Sequence, residues 1–435
     1  MKSLKVAIIG GGSITWMPTF LKDLAATPAM ESGLIVLHDI LEQDAETMRD
    51  MGRKIFAERN ADIKIDTERD LDAAISNADF VVNTVLVGGH SLWAEEMKTI
   101  VRYGVPHPKG MSVGPGGLSM GLRQIPFVLS LAKKMEILCP SAWLLNFSNP
   151  MQSITLAVMQ NSKIKYLGLC HGVTETIDKF ANLLNINASD LFYTVGGINH
   201  FEVIKEMRLG NRDLLPEIAD ACEKRNQESQ SIGESVTTEN YRLFGAFQCN
   251  ADIHGIEFWP HYIHKDSRLE SYQLEQNSID KRIADRNIRW GKVKAYNSGK
   301  LTLSETFAGP STEKLDIIIN GVKMNAPTYL HINVINNGAI TNIDDDICVE
   351  IPAVIFRDGL IRCIIGDMPH GFREMSIIHG AVQRYSVQAA LTGDKKAALH
   401  ALTMDPICYT LTLEERETML DELLRVCKDY LPAFS

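Results

Sequence analysis

Lys5-Val-Ala-Ile-Ile-Gly-Gly-Gly-Ser-Ile-Thr15 is the stretch on which the fold turns. A short apolar run rich in β-branched residues passes straight into three glycines, and a helical stretch follows. The chain therefore stops a buried strand and starts a helix across backbone that carries no side chains. Bare N–H groups at a helix N-terminus are suited to a pyrophosphate. Gly10-x-Gly12, with Gly11, Ser13 and Ile14, fits the dinucleotide-binding fingerprint, although Thr15 stands at the third glycine position.

Outward from this turn, short apolar runs at residues 34–38, 80–85, 143–147 and 165–169 alternate with helical stretches, which predicts a doubly wound parallel sheet in an α/β chain. Asp39 closes the second run, where an acidic side chain would bond an adenosine ribose and favour NAD over NADP. Beyond residue 200 the pattern changes to polar helices such as 216–234, a strand-rich block over 315–351 and a helical tail. Two units are expected: residues 1–196, Rossmann-like and NAD-binding, and residues 197–435, α/β or α+β, carrying substrate, metal and oligomer contacts. In the tail, Thr412 and Glu415 form a capping box, and Leu420, Leu423, Leu424 and Cys427 share one helix face.

With 435 residues, 45% of them hydrophobic, the chain can bury a large core. The net charge of −10 is spread without a basic stripe, which argues against nucleic acid and anionic lipid and for a small-molecule partner. No apolar run reaches the roughly 20 residues of a membrane helix, and Met1-Lys2-Ser3-Leu4 leads into a strand rather than a signal peptide, so a cytoplasmic protein is expected. The eight cysteines lie far apart with no C-x-x-C pair, which fits reduced thiols.

Ligands of open α/β sheets bind beyond the carboxyl ends of the strands, and the residues there are polar or glycine. They are Val87-Gly88-Gly89, Ser148-Asn149-Pro150 and Cys170-His171-Gly172, with Asn199-His200 closing a further run. Cys170 alone reads as a small buried hydrophobe and His200 as a core histidine. Together a thiolate and an imidazole at neighbouring strand ends would ligate one divalent metal and leave positions for substrate oxygens. Asn149 reads equally as a helix cap.

Several segments, in this order and spacing, resemble glycoside hydrolase family 4, the NAD-dependent exception among glycosidases. They are Ile9-Gly-Gly-Gly-Ser13, Val113-Gly-Pro-Gly-Gly117, Leu122-Arg123-Gln-Ile-Pro126, Asn146-Phe-Ser-Asn-Pro150, Cys170-His-Gly-Val173, Gly197-Ile-Asn-His200, Asn336-Asn-Gly-Ala-Ile340 and Val349-Glu-Ile-Pro352. The resemblance implies a lactate/malate-dehydrogenase-like architecture, NAD at Gly10–Ile14, Asp39, Val87 and Asn149, and Mn²⁺ on Cys170 and His200. It also places Asn149 on the sugar hydroxyls. His171-Gly172 after the metal cysteine is most similar to the α-glucuronidase branch, and Trp93 stands where phosphosugar members carry Arg. Both point to an unphosphorylated α-glycoside, with Trp93 stacking on the sugar or serving the core.

Asp252-Ile-His-Gly-Ile-Glu-Phe258 resembles the Asp-Arg-His-x-x-Glu-Phe segment of the galactosidase and glucuronidase branches, with Ile253 in place of Arg. Asp252 is then the base expected to remove the C2 proton, with Tyr241 or Tyr262 as substitutes, and His171 the acid toward the leaving oxygen. The implied chemistry is oxidation at C3 by NAD, loss of the C2 proton with Mn²⁺ assistance, elimination of the aglycone, addition of water and return of hydride. An α-glucuronide or α-galacturonide is the expected substrate, with α-galactosidase or α-glucosidase as the alternative. A homodimer or homotetramer without nucleic-acid or membrane partners is expected. Two other readings stay open: a net NAD-dependent hydroxyacid dehydrogenase without metal, and a non-catalytic NAD-responsive binding protein.

Overall fold

A computed structural model describes residues 3–228, 233–263, 269–307, 311–432 and 434. Six parallel strands open the chain: β1 (Lys5–Ile9), β2 (Gly33–His38), β3 (Ile63–Thr67), β4 (Phe80–Asn83), β5 (Trp143–Asn146) and β6 (Lys165–Gly168). They lie in the order β3-β2-β1-β4-β5-β6, which reverses direction between β1 and β4. Ligand crevices form at such a reversal. β3 was not foreseen: Ile63-Lys-Ile-Asp-Thr67 buries only alternate residues, so it lacks the continuous apolar run of its neighbours.

The same sheet continues with antiparallel strands. β7 (Phe192–Ile198) and β8 (Phe201–Leu209) form a hairpin, extended by β9 (Arg212–Asp213) and β10 (Phe247–Gln248). β11 (Thr328–Ile335) and β12 (Cys348–Phe356) form a second hairpin, with β13 (Gly359–Arg362) on β12. β11 joins β6 and β12 joins β7, each by one residue pair. The strand-rich reading of 315–351 is corrected at its start. Leu315–Met324 is a helix, because Leu315, Ile318, Ile319 and Val322 recur at helical spacing and are the residues it buries. The stretch 216–234 holds the helix Leu215–Gln227 and the start of a turn into Ser235–Phe244, while residues 229–232 lie outside the described residues.

One hydrophobic core spans both faces of the sheet, and a smaller one, around Phe180, Met207 and Phe247, lies beneath β7 and β8. The Thr412–Glu415 capping box is present, and Cys427 is buried against Ser119 and Glu96. The position between residues 196 and 197 falls inside β7. Among the described residues no helix is long and apolar enough to cross a membrane.

Candidate active site

The glycine turn is held by main-chain bonds. Gly10 and Gly11 N–H both donate to His38 O at 2.9 Å, so the end of β1 is tied to the end of β2. Gly10 has φ +87°, and a Cβ there would lie 2.4 Å from Thr84 Oγ1. Only glycine meets both conditions. Asp39 accepts from Gly12 N through Oδ2 and from Leu41 N through Oδ1, both at 2.9 Å, which fixes the carboxylate across the turn. Ser13 faces a cleft of about 480 Å³ at the carboxyl ends of β1, β4, β5 and β6. Ile14 is turned into the core instead. Val87 gives its N–H to Gln124 Oε1 at 2.9 Å and its carbonyl to Arg123, and the cleft wall at that strand end is Val85 and Leu86.

At the other end of the cleft the structure brings Cys170 and His200 together, with Sγ 3.6 Å from Nε2. The second ring nitrogen, Nδ1, lies 2.8 Å from Ser112 Oγ, which orients the ring. His200 occupies the left-handed region at φ +66°, in the turn between β7 and β8, and its N–H donates to Glu202 Oε1 at 2.9 Å. A bulky residue held there marks local strain of the kind that gathers at functional sites. Burial, then the charges of Lys109 and His171, lower the His200 pKa to about 3, so the ring is neutral, as a ligand must be. Burial, then the charges of Glu350 and Glu202, push the Cys170 thiol up.

Behind the pair, Glu350 Oε2 accepts from Asn199 Nδ2 at 2.8 Å and Asn333 Nδ2 at 2.9 Å. Both Glu202 and Glu350 are raised by burial, Glu202 the more because the charge and hydrogen bond of Glu350 add to it. Asn199 Oδ1 finds no hydrogen-bond partner among the described residues. Among those residues no cluster of three His, Cys, Asp or Glu side chains is arranged around one metal position. A thiol, a neutral imidazole and open positions nevertheless fit a divalent ion that completes its shell with substrate oxygens.

His171 lies beside this pair, its Nδ1 2.8 Å from Glu313 Oε1 and its Nε2 3.6 Å from Glu175 Oε1. Burial pulls its pKa down, but the bond to Glu313 and the charges of Glu313, Glu175 and Glu350 outweigh that and raise it. Gly172 is required by contact rather than by φ: a Cβ there would fall 1.6 Å from Asn250 Oδ1. Asn149 also lines the cleft; the N-cap position of the helix Met151–Asn161 is Pro150, and Asn149, one residue earlier, accepts from Met151 N through Oδ1 at 3.3 Å.

Two expected residues are placed differently. Trp93 is 3% exposed, donates Nε1–H to Gly110 O at 3.1 Å and carries the Arg282 guanidinium over its ring at 5.2 Å. It lines the cleft, but that ring face is covered. Asp252 is 1% exposed and does not line the cleft, because its oxygens accept from Val236 N at 2.8 Å and Thr237 N at 3.1 Å at the start of the helix Ser235–Phe244. Tyr241 and Tyr262 do not line it either. Sequence reasoning missed Lys109, Arg282 and His254, which do; His254 lies against His200 with ring centroids 4.2 Å apart and the rings tilted by 47°. His254 stood in the quoted segment beside Asp252 and was the available signal, whereas nothing local distinguishes Lys109 or Arg282 from surface cations.

Comparison with known proteins agrees with this geometry. The family model "Family 4 glycosyl hydrolase" matches residues 5–186, and the "Family 4 glycosyl hydrolase C-terminal domain" matches residues 195–408. The chain belongs to glycosyl hydrolase family 4. This family 4 hydrolase is 28% identical to an alpha-galactosidase of Bacillus subtilis (strain 168), over 99% of each chain. It is 29% identical to an alpha-galacturonidase of Lachnoclostridium phytofermentans, over 99% of this chain and 97% of that one. A solved 6-phospho-alpha-glucosidase from gut microorganisms, in complex with NAD and Mn²⁺, superposes over the whole of both chains with a TM-score of 0.86 at 22% identity.

Proposed function

We propose that this family 4 hydrolase cleaves an unphosphorylated α-glycoside, an α-galacturonide or α-glucuronide, with NAD and a divalent ion such as Mn²⁺. The observation that carries the reading is the Cys170–His200 pair, 3.6 Å apart, at one end of the cleft that has the glycine turn at the other. Relatives named alpha-galacturonidase support the substrate class, as does the Cys170-His171-Gly172 sequence.

Gly10–Ser13 and Asp39 would hold the dinucleotide, and Cys170 with His200 the ion. NAD when bound accepts and returns a hydride, and Mn²⁺ when bound acts as a Lewis acid on sugar oxygens. Asn149, at the end of β5 and between these two ends, positions the sugar. His171, backed by Glu313, handles the proton at the leaving oxygen, because it is the cleft-lining imidazole whose charged form the site favours. Asp252 is withdrawn from the base role, since its carboxylate is engaged at a helix start. The enzyme is taken as a cytoplasmic homodimer or homotetramer with units 1–196 and 197–435.

Hydrolysis of nitrophenyl α-galacturonide, α-glucuronide, α-galactoside, α-glucoside and a 6-phosphoglycoside, with NAD, Mn²⁺ and a thiol reductant, tests the reading. Fastest turnover of a uronide without net NADH supports it. Preference for the α-galactoside moves the enzyme to the branch of its Bacillus subtilis relative, and NADH accumulation without metal would make it a dehydrogenase.

A further inference from the structure

Two cations in the cleft lack a counter-ion. Lys109 Nζ and the Arg282 guanidinium both reach the cleft wall, and among the described residues neither has a carboxylate oxygen within ion-pair distance. Two other cations near this site are paired: the fully buried Arg123 with Glu96 at 2.7 Å, and Lys179, which also lines the cleft, with Glu234. Desolvated cations without partners are costly, and sites that retain them are built for an anion that arrives from solution.

The pair is held in place. Asn277 donates Nδ2–H to Lys109 O at 2.7 Å and accepts from Arg282 Nε at 2.8 Å, so one amide joins the two segments. The guanidinium lies over Trp93, whose indole N–H is bound to Gly110 O. Glu257, a buried carboxylate whose charge acts on both cations, is occupied: its Oε1 accepts from Lys109 N at 2.8 Å and Gly110 N at 2.9 Å and lies 3.0 Å from His107 Nδ1. It secures the loop and leaves the Lys109 ammonium uncommitted. Lys109 acts electrostatically on both His200 and His254, and Arg282 on His254 and His90, so both cations are within electrostatic reach of the cleft's imidazoles.

We propose that Lys109 and Arg282 form the subsite for the anionic substituent of the sugar, the carboxylate of a uronide. This rests on the function proposed above. A planar guanidinium and a mobile ammonium suit a carboxylate bound from two directions. Trp93 then serves the sugar indirectly, as the surface on which Arg282 is laid. In support, burial and then Arg282 lower the Lys109 pKa to about 8, against the opposing pull of Glu257 and Glu175, and a bound carboxylate would relieve that penalty.

The test compares wild type with Lys109→Met, Arg282→Gln and Lys109→Arg, each loaded with NAD and Mn²⁺. The readout is the ratio of kcat/KM for nitrophenyl α-galacturonide over that for the α-galactoside, with a 6-phosphoglycoside as a third substrate and NAD affinity measured by titration. The ratio should fall by about 30-fold or more in the first two variants, as for truncating one partner of a buried charge pair. Lys109→Arg should recover part of it, and unchanged NAD affinity will show that each variant is folded. An unchanged ratio in a wild type that prefers the uronide overturns the subsite and leaves the proposed function standing. Weakened NAD affinity with an unchanged ratio also overturns it, because the cations then serve the pyrophosphate. A wild type that prefers the 6-phosphoglycoside, with that preference lost in the variants, upholds the anion subsite and overturns the uronide reading. Preference for the neutral galactoside with no effect of the variants overturns both.

Discussion

The two ends of the cleft are made of different material. At the glycine turn the working groups are main-chain N–H and one carboxylate, Asp39, which accepts from Gly12 N and Leu41 N and so ties the ends of β1 and β2 together. At the sugar end they are side chains held by other side chains: His200 by Ser112 and His171 by Glu313, both far away in sequence, and Arg282 by Asn277, five residues before it, which also donates to Lys109 O. A main-chain site depends on where glycine is allowed, and a side-chain site on many pairings being made together. Single substitutions should therefore be more damaging at the sugar end.

Cys170→Ser should have the largest effect. It replaces the thiol proposed as a metal ligand while leaving a side chain of similar size beside Gly172 N, whose contact with Sγ is 3.5 Å. Loss on the order of 10³-fold in Mn²⁺-supported turnover is expected, the scale of removing Lewis-acid assistance, with NAD affinity preserved. Normal turnover with normal Mn²⁺ dependence would remove Cys170 from the metal site and erase the contrast between the two ends.

Asp39→Ala is the matching change at the other end. It deletes two charge-assisted bonds to Gly12 and Leu41 as well as the ribose contact proposed for this carboxylate, and should weaken NAD by about 10-fold or more. Mn²⁺ affinity should not move. If NAD binds the variant as tightly as wild type, Asp39 is a brace for the turn only.

This difference in material also explains what was legible in the sequence. The parallel strands and the turn were readable because their signals are local: apolar runs, glycines, and an acidic residue at a strand end. Cys170, His171 and Asn149 followed, since strand carboxyl ends meet by topology alone. β3 was lost because only one of its faces is buried, and Leu315–Met324 because a short apolar run fits helix and strand alike. Lys109 and Arg282 could not be found: their meaning lies in the absence of a partner, which only the fold reveals. Asp252 was misplaced because similarity of a segment does not say which way a carboxylate turns.

A smaller effect should appear in the pH profile. Lys109 is charged below its lowered pKa of about 8 and neutral above it, so a cation that attracts the uronide is progressively lost as pH rises through that value. The uronide kcat/KM should fall above about pH 8, and more steeply than that of the α-galactoside measured in parallel, which isolates the effect from His171. The charged neighbours able to shift this midpoint are Arg282, Glu257 and Glu175. Parallel profiles for the two substrates would show that Lys109 does not face the anion.

Asp252→Asn should change least. The carboxyl group caps the helix Ser235–Phe244 through Val236 and Thr237, and asparagine is also a good cap, so at acidic pH, where the group is protonated, stability should shift by no more than about 1 kcal/mol. Burial raises the Asp252 pKa from 3.8 to about 7 against these bonds and the charge of Lys179. The native state thus binds a proton that the unfolded chain has released. That contribution to stability is present at acidic pH, declines between about pH 4 and 7, and is gone above; the Asn variant should lack this slope in thermal or denaturant unfolding. Turnover in D₂O supplies the decisive reading. If C2 of the sugar is deprotonated during the cycle, deuterium enters there, and in Asp252→Asn it should enter at nearly the wild-type rate, since the residue stands off the cleft. Loss of both label and hydrolysis in a variant that still unfolds cooperatively would return the base to Asp252 and require its carboxylate to leave the helix cap. Label that persists in Asp252→Asn but disappears in His171→Gln assigns the proton transfer to the cleft-lining side of the site.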